Sequence, residues 1–473
     1  MSPQPWRGQG SVEEERTDVL VVGGGVCGTA LLFTLARYTD LPRLTLVERH
    51  PQLAQVNSRA TSNSQTLHCG DIETNYTLEK ALGVKRTAEM VGRYAELLDP
   101  AERDRCVFRT PKMVLAVGER ECALLRRRFE VFSPHFPAME LLEKAQIAAW
   151  EPQVALLDGA PRPEELVAIG IRDSPTAVDF EALSASFVHQ ARAAVAGTGR
   201  RIGLRLGSTV ERIAPEGDGF AVAMADGTAL RARQVVVNAG AHSLLLAQRM
   251  GFGLRYSCLP VAGSFYFTPD LLRGKVYTVQ NDQLPFAALH GDPDVRAEGL
   301  TRFGPTALLL PMLERYRPAS FWEFLEVLRP DGAVLAVFRQ LLGDATIRSY
   351  ILRNLLYELP GLGRRLFLAD ARKIVPGLRL EDLRYAHGYG GVRPQLIDKP
   401  ERRLMLGEVR IEAVPGLAFN VTPSPGGTCC LGNAVRDLEE IVERLGCGCD
   451  RERLGRELLD VDVGTAAVGS RPA

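Results

Sequence analysis

Gly23, Gly25 and Gly28 follow the apolar run Val19 to Val22 with the spacing G-x-G-x-x-G, and Glu48 lies twenty positions beyond the last of them. Glycine at these places lets a chain turn sharply out of a strand, lets backbone N–H groups approach a diphosphate, and lets the next helix lie close to the strand. The diphosphate would then sit at the positive end of a helix macrodipole. A carboxylate at the end of the second strand accepts a hydrogen bond from an adenosine ribose hydroxyl and repels a 2′-phosphate, so FAD or NAD is expected rather than NADP. Gly426 and Gly427 give a second strand-to-helix turn, suited to an electronegative partner such as a flavin ring edge. No further G-x-G-x-x-G opens off a strand: Gly361 to Gly363 and Gly388 to Gly391 lack both the spacing and the apolar run before it. Electrons are therefore expected from an organic substrate and not from NAD(P)H.

These residues need a strand, turn, helix and second strand over Thr17 to His50 to position them. The polar stretch Asn57 to Lys80 then reads as a long loop at the mouth of the nucleotide site. Patterning predicts a helix from about Tyr76 to Leu98, a strand within Cys106 to Gly118, and helices near Glu119 to Phe132 and Ala138 to Ala148. A helix over Asp179 to Ala196 and short strands around Ile202 to Leu206 and Phe220 to Ala223 follow. Gln234 to Gly240 is a second buried parallel strand, which places Gly240 beside the nucleotide and leads into a helix from His242 to Met250. Tyr256 to Leu310 is rich in hairpin texture, Trp322 to Ala371 is helical, and the nucleotide layer resumes over Leu417 to Gly446. The expected class is α/β with α+β: a Rossmann-like FAD-binding domain assembled from separated segments, with an inserted antiparallel-sheet substrate domain. The expected bounds are an arm at 1–16, the nucleotide domain at 17–98, 175–255 and 385–450, the substrate domain at 99–174 and 256–384, and a tail at 451–473.

The 473 residues are long for one core, and their 46% hydrophobic content with a formal net charge of zero suits a globular enzyme that does not bind nucleic acid. Nine cysteines follow no disulfide or zinc spacing and read as reduced thiols, so no metal is expected; Cys447-Gly448-Cys449 lacks a second ligand pair. Met1 to Arg16 is polar, without a signal-peptide core, and no run of eighteen apolar residues exists to span a bilayer.

The chain resembles the malate:quinone oxidoreductases, within the FAD-dependent 2-hydroxyacid dehydrogenase and D-amino-acid oxidase superfamily. The landmarks are VVGGGVCG (Val21 to Gly28), NSQTLHCGDIETNYT (Asn63 to Thr77), HGDPD with RFGPTA (His290 to Asp294, Arg302 to Ala307), GVRPQ (Gly391 to Gln395) and TPSPGGT (Thr422 to Thr428). The similarity runs from Thr17 to about Gly446. It implies noncovalent FAD, oxidation of malate to oxaloacetate, and delivery of electrons to a membrane quinone. A dehydrogenase for another 2-hydroxy acid such as 2-hydroxyglutarate, or for a D-amino acid, is the alternative within the class. A flavin-retaining protein without turnover is the alternative outside it.

Taking a hydride from C2 of a hydroxy acid requires removal of the hydroxyl proton, for which a histidine is apt. His290 is the first choice, with Asp292 two residues on to orient it; His68 is second and His387 third. Binding the dicarboxylate needs cationic forks, for which Arg393 is first, Arg302 next, and Gln395 an added amide. Asn63, Ser64 and Thr66 are expected beside the flavin ring, with Gly426 and Gly427 at its pyrimidine end. For the quinone, Ala345 to Lys373 places Ile347, Ile351, Leu355 and Leu356 on a helical stripe amid arginines. Such a helix either lies in an anionic membrane interface or packs on the core with a basic rim. The expected location is the cytoplasm, peripherally on the inner face of the membrane.

Overall fold

The computed structural model describes residues 15–280, 289–359, 361–405 and 407–459. The strand Glu15–Val22 is buried from Thr17 onward, the pattern of a parallel strand covered on both faces. It pairs in parallel with Arg43–Glu48 on one side and Ala229–Val237 on the other. Arg201–Leu206 extends the sheet beyond Arg43–Glu48, and Leu417–Val421 joins the C-terminal end of Ala229–Val237. Residues 17–48, 201–237 and 417–421, far apart in the chain, thus share one sheet. Strands Glu15–Val22, Arg43–Glu48 and Ala229–Val237 end together at Val22, Glu48 and Val237, and the crevice beyond such ends is where a ligand binds in an open α/β sheet.

The helix Val26–Tyr38 is buried along almost its whole length. It lies against Phe180–Val195 and Cys430–Leu445, and the Phe33, Tyr94 and Phe187 rings meet at centroid distances of 4.5 to 5.6 Å. This packing holds the helix N-terminus rigidly at the crevice.

A second sheet of eight strands runs Arg384–Tyr385, Tyr266–Pro269, Leu300–Gly304, His290–Pro293, Lys275–Thr278, Lys112–Val117, Leu166–Ile171 and Glu140–Glu143. Its neighbours are antiparallel except Lys275–Thr278 with Lys112–Val117, which puts Lys275 and Lys112 side by side in register. A third sheet pairs Tyr256–Ala262 with Val392–Asp398. Val392–Asp398, expected in the nucleotide layer, therefore hydrogen-bonds to a segment expected in the substrate part. Its residues are buried at all but Arg393, so it needs a partner on each edge, and Arg403–Met405 supplies the second.

Two local expectations change. Within Ala138 to Ala148, Glu140–Glu143 is a strand paired with Leu166–Ile171, and a helix starts only at Lys144, behind a capping box of Glu143 and Gln146. In the tail, residues 451–459 dock: Leu454 and Leu458 are buried, and Glu457 pairs with Arg37 at 2.6 Å and accepts from Tyr38 at 2.9 Å. The rest of the tail and of the N-terminal arm up to residue 14 lies outside the described residues.

Candidate active site

A cavity of about 300 Å3 opens at the crevice and runs from Glu48 and Leu245 at one end to Arg393 and Pro305 at the other. Its middle is the glycine turn. Gly23 has φ +111°, and a Cβ on it would lie 2.4 Å from the Asn238 carbonyl oxygen; a Cβ on Gly28 would lie 1.9 Å from the Gly23 oxygen. These two glycines are required by the fold itself, whereas a Cβ on Gly25 would come within 4 Å of no residue but Ser58 and would occupy ligand space. Gly25 precedes the helix without a side-chain cap, which leaves N–H groups to face an anion. Ser58 takes the Val26 N–H at 3.0 Å. Glu48 closes the turn by accepting from Gly24 N at 2.7 Å and His50 N at 2.8 Å.

At the Glu48 end His242, Glu314 and Glu323 bring their ligand-type atoms within 4.8 Å of one another. Arg49 pairs with Glu314, and Arg317 pairs with Glu323 and, at 3.1 Å, with Glu314. The carboxylates are thus already neutralised by guanidinium groups, as expected of an ion-pair cluster and not of a metal centre. Burial pushes the His242 imidazole down to about 4, so it is neutral at pH 7.

The other end is built from the loop after the second strand and from Val392–Asp398. Asn57 ties the two together: its amide donates to Val392 O at 2.7 Å and its oxygen accepts from Val392 N at 3.2 Å. His68 lines the cavity, and its Nδ1 bonds Glu73 Oε1 at 2.9 Å. Against burial, that bond and the nearby Lys112 hold the Glu73 carboxylate below its usual range. Lys112 itself is fully buried and paired to Asp71 at 2.7 Å. Arg393 lines the cavity too. Burial pulls its guanidinium down, and the groups that oppose this are two phenols, Tyr350 and Tyr277, with no carboxylate among them. A half-buried cation left without an anion is partly stripped of water, and a bound carboxylate would relieve that cost.

Comparison with known proteins now places the chain. Residues 18–434 match the family described as FAD dependent oxidoreductase. The chain is 47% identical to the "Probable malate:quinone oxidoreductase" of Campylobacter jejuni, over 95% of this chain and 100% of that one. It is 45% identical to the "Malate:quinone oxidoreductase" of Helicobacter pylori strain 26695, over 93% and 97%. The chain belongs to the malate:quinone oxidoreductase family. Among solved structures it is similar to an L-alpha-glycerophosphate oxidase from Mycoplasma pneumoniae with FAD bound, at TM-score 0.62 and 19% identity over 92% of this chain and 96% of that one. A glycine oxidase from Geobacillus kaustophilus follows at TM-score 0.59 and 18% identity, over 91% and 95%. The protein is an FAD-dependent oxidoreductase of this fold. The cradle fits that cofactor, with the helix start opening on the cavity and a cleared Gly25 at its centre.

Of the residues expected from sequence, Gly23, Gly25, Glu48, Asn63, Ser64, Thr66, His68, Gly240, Arg393, Gly426 and Gly427 all line this cavity. Gly28 packs behind the turn. Two of the loop side chains and one loop carbonyl have other work. Asn63 bonds Asn57 O, Arg59 O and Gln65 N, Thr66 sits in a buried network, and the Ser64 carbonyl accepts from Arg302 at 2.9 Å.

His290, Asp292, Arg302, Gln395 and His387 are not on the cavity wall. His290 is 1% exposed and stacks on Tyr277 at 4.5 Å. Its expected partner is present, with Asp292 Oδ1 at 3.4 Å from Nε2, but the pair lies behind the Thr66 segment. Arg302 is 0% exposed and already pairs with Asp292 and Asp294, each at 3.2 Å. Its charge is spent, which leaves no fork for a substrate. Gln395 is buried in the third sheet, and His387 is exposed on a turn. Sequence reading missed Glu73, Asn57, Tyr277 and the lysines 112 and 275. The signal for the last two was a lysine opening each of two apolar strand segments, where a charge is buried only with a purpose.

Proposed function

We propose that this chain oxidises L-malate to oxaloacetate and passes the electrons to a membrane quinone. The observation that carries the substrate half is Arg393: a guanidinium on the wall of the flavin cavity, with phenols near it and no carboxylate paired to it among the described residues. A 2-hydroxy acid held there by its carboxylate shares the cavity with His68, which lines the same wall. When bound, FAD supplies the two-electron acceptor. His68 takes the hydroxyl proton, and Glu73 orients the ring and stabilises its cation. Geometry favours His68 over His290 for this role, because a base must reach the proton it removes and His290 is sealed behind Tyr277 and Thr66.

The quinone half is supported by the helices between residues 320 and 371. Trp322 is 71% exposed, and Phe321, Leu325, Leu335, Leu342, Leu352, Leu355, Leu359 and Leu362 are exposed with it. Of the stripe expected from sequence, Leu355 faces out while Ile347, Ile351 and Leu356 are half-buried. Exposed arginines 348, 353, 364 and 365 lie on the same helices. No described helix is long and apolar enough to cross a membrane, so we place these helices flat against its surface, the expected inner face being the one their cations suit.

The test is anaerobic bleaching of the purified yellow protein. L-malate should reduce the flavin, while D-alanine and NADH should not. Bleaching by an amino acid without bleaching by malate would pass the substrate role to the alternative.

A further inference from the structure

A second cavity, of about 340 Å3, lies across the Thr66 segment from the flavin cavity and is lined by Lys275, Asp292 and Asp294. Arg296 and Glu298, both exposed, stand at its edge and open it to solvent. One chain of hydrogen bonds joins the two cavities. Thr66 lines the first; its Oγ1 accepts from Lys275 Nζ at 2.9 Å, and Lys275 donates to Asp292 Oδ2 at 3.0 Å inside the second. Tyr277 OH meets the same Thr66 oxygen at 3.1 Å. Asp292 Oδ1 makes no hydrogen bond among the described residues, its neighbour being His290 Nε2 at 3.4 Å, and it belongs to a carboxylate that is 2% exposed.

Resting on the hydroxy-acid reading above, the reaction leaves a proton behind. The C2 hydrogen departs with its bonding electron pair to the flavin, the O–H bonding pair becomes the second C–O bond, and the hydroxyl proton must leave the site. We propose that Thr66, Lys275 and Asp292 form the path by which this proton passes from the flavin cavity to the second cavity and solvent. Asp292 takes one proton from the Lys275 ammonium. The Thr66 hydroxyl, which rests on the Ser64 carbonyl at 3.1 Å, turns to give its proton to the amine so formed and receives, through cavity water, the proton that His68 took from the substrate. Asp292 then gives its proton to water in the second cavity, so that one proton enters and one leaves.

The charge state of Lys275 suits this traffic. Burial pushes its ammonium down to about 8, against the pull of Asp292, which brings amine and ammonium close in energy near neutral pH. The groups facing it are Asp292, Asp294 and His290 from the strand His290–Pro293 and the turn after it, and Arg302 from the next strand. Tyr277 stands on its own strand, and Lys112 on the strand paired beside it, turned to Asp71. Lys275 also bonds the Ser64 carbonyl at 3.2 Å, so a purely structural clamp on the loop is the competing role.

Thr66→Val removes the relay hydroxyl and keeps the charges, and Thr66→Ser restores it. Binding of succinate by calorimetry reports an intact site without turnover, and both variants should stay within about twofold of wild type. In anaerobic stopped flow with L-malate, Thr66→Val should bleach roughly tenfold more slowly and lose the pH dependence near 8, with Thr66→Ser close to wild type. If Thr66→Val fails to retain flavin or succinate, Lys275→Gln carries the same expectation. Wild-type bleaching with the wild-type pH profile in the succinate-binding variant overturns the path, and so does a Thr66→Ser as slow as Thr66→Val. If another 2-hydroxy acid and not malate bleaches the wild type, the substrate reading fails and the same comparison is made with that acid.

Discussion

On the proposal above, Arg393 and His68 divide the chemistry of the cavity wall between them. A guanidinium at Arg393 would hold the substrate carboxylate through a planar fork, which an ammonium cannot reproduce. Arg393→Lys should weaken succinate binding by roughly 10- to 100-fold, about 1.4 to 2.8 kcal/mol, and leave flavin content unchanged. Calorimetry and the flavin absorbance check both halves; equal loss of flavin would show a structural role instead. His68→Gln keeps a donor to Glu73 but removes the base, so flavin reduction at saturating malate should fall by about 10² to 10⁴. His290→Gln should slow it far less. The reverse order would return the base to His290. Both histidines and both arginines were legible as candidates, because residue type announces what chemistry is possible. Residue type alone does not rank them: Arg393 stands before Arg302 through the resemblance of its GVRPQ segment, whereas His290 stands before His68 although burial keeps it off the cavity wall.

At the scale of elements, the loop that carries His68 and Thr66 is held from below by two strands. Lys112 grips it at Asp71 and Lys275 at Ser64 and Thr66, from adjacent register positions. The entry to the Lys275 strand is fixed in turn by Glu151, which accepts from Arg273 N at 3.0 Å and Gly274 N at 2.7 Å. Burial pushes the Glu151 carboxyl up to about 7. Its folded pKa thus lies above the value of an unfolded glutamate, so the folded state binds the extra proton between about 4.3 and 7. Stability from this group is greatest below that window and declines as pH rises through it. Glu151→Gln has no such decline, so its stability relative to wild type should rise from pH 5 to pH 8. Urea unfolding of both proteins at several pH values measures this, and a constant difference across the range would refute it. Helices and parallel strands of the nucleotide layer were visible as patterns, because long buried segments impose a period on their own sequence. The strand Glu140–Glu143 was not, since an edge strand of four residues takes its conformation from the neighbour it pairs with.

The whole molecule carries no net charge, so any attraction to a membrane must come from a local face. The helices from Ser320 to Ala371 provide one, combining the exposed apolar side chains with arginines. Binding to anionic liposomes should be reversible and weaken with salt, at roughly 1 kcal/mol for each basic residue near the surface. Arg364→Glu with Arg365→Glu should lower co-sedimentation at low salt, and Trp322→Ser should lower it at all salt concentrations. Activity with a soluble quinone analogue should survive both changes. Equal recovery of all three proteins on the vesicles would discard this face as the anchor.

Two kinds of information meet in this protein. The glycine turn, Glu48 and the landmark segments are local: each works through backbone conformation and residue type at fixed spacing, and so they name the cofactor, the fold class and the family from the chain alone. Sheet partners, the pairing of Arg302 against the open Arg393, and the outward turn of Trp322 depend on contacts between segments distant in sequence. A buried charge acquires its role from the neighbour that meets it, and only folding brings that neighbour into place.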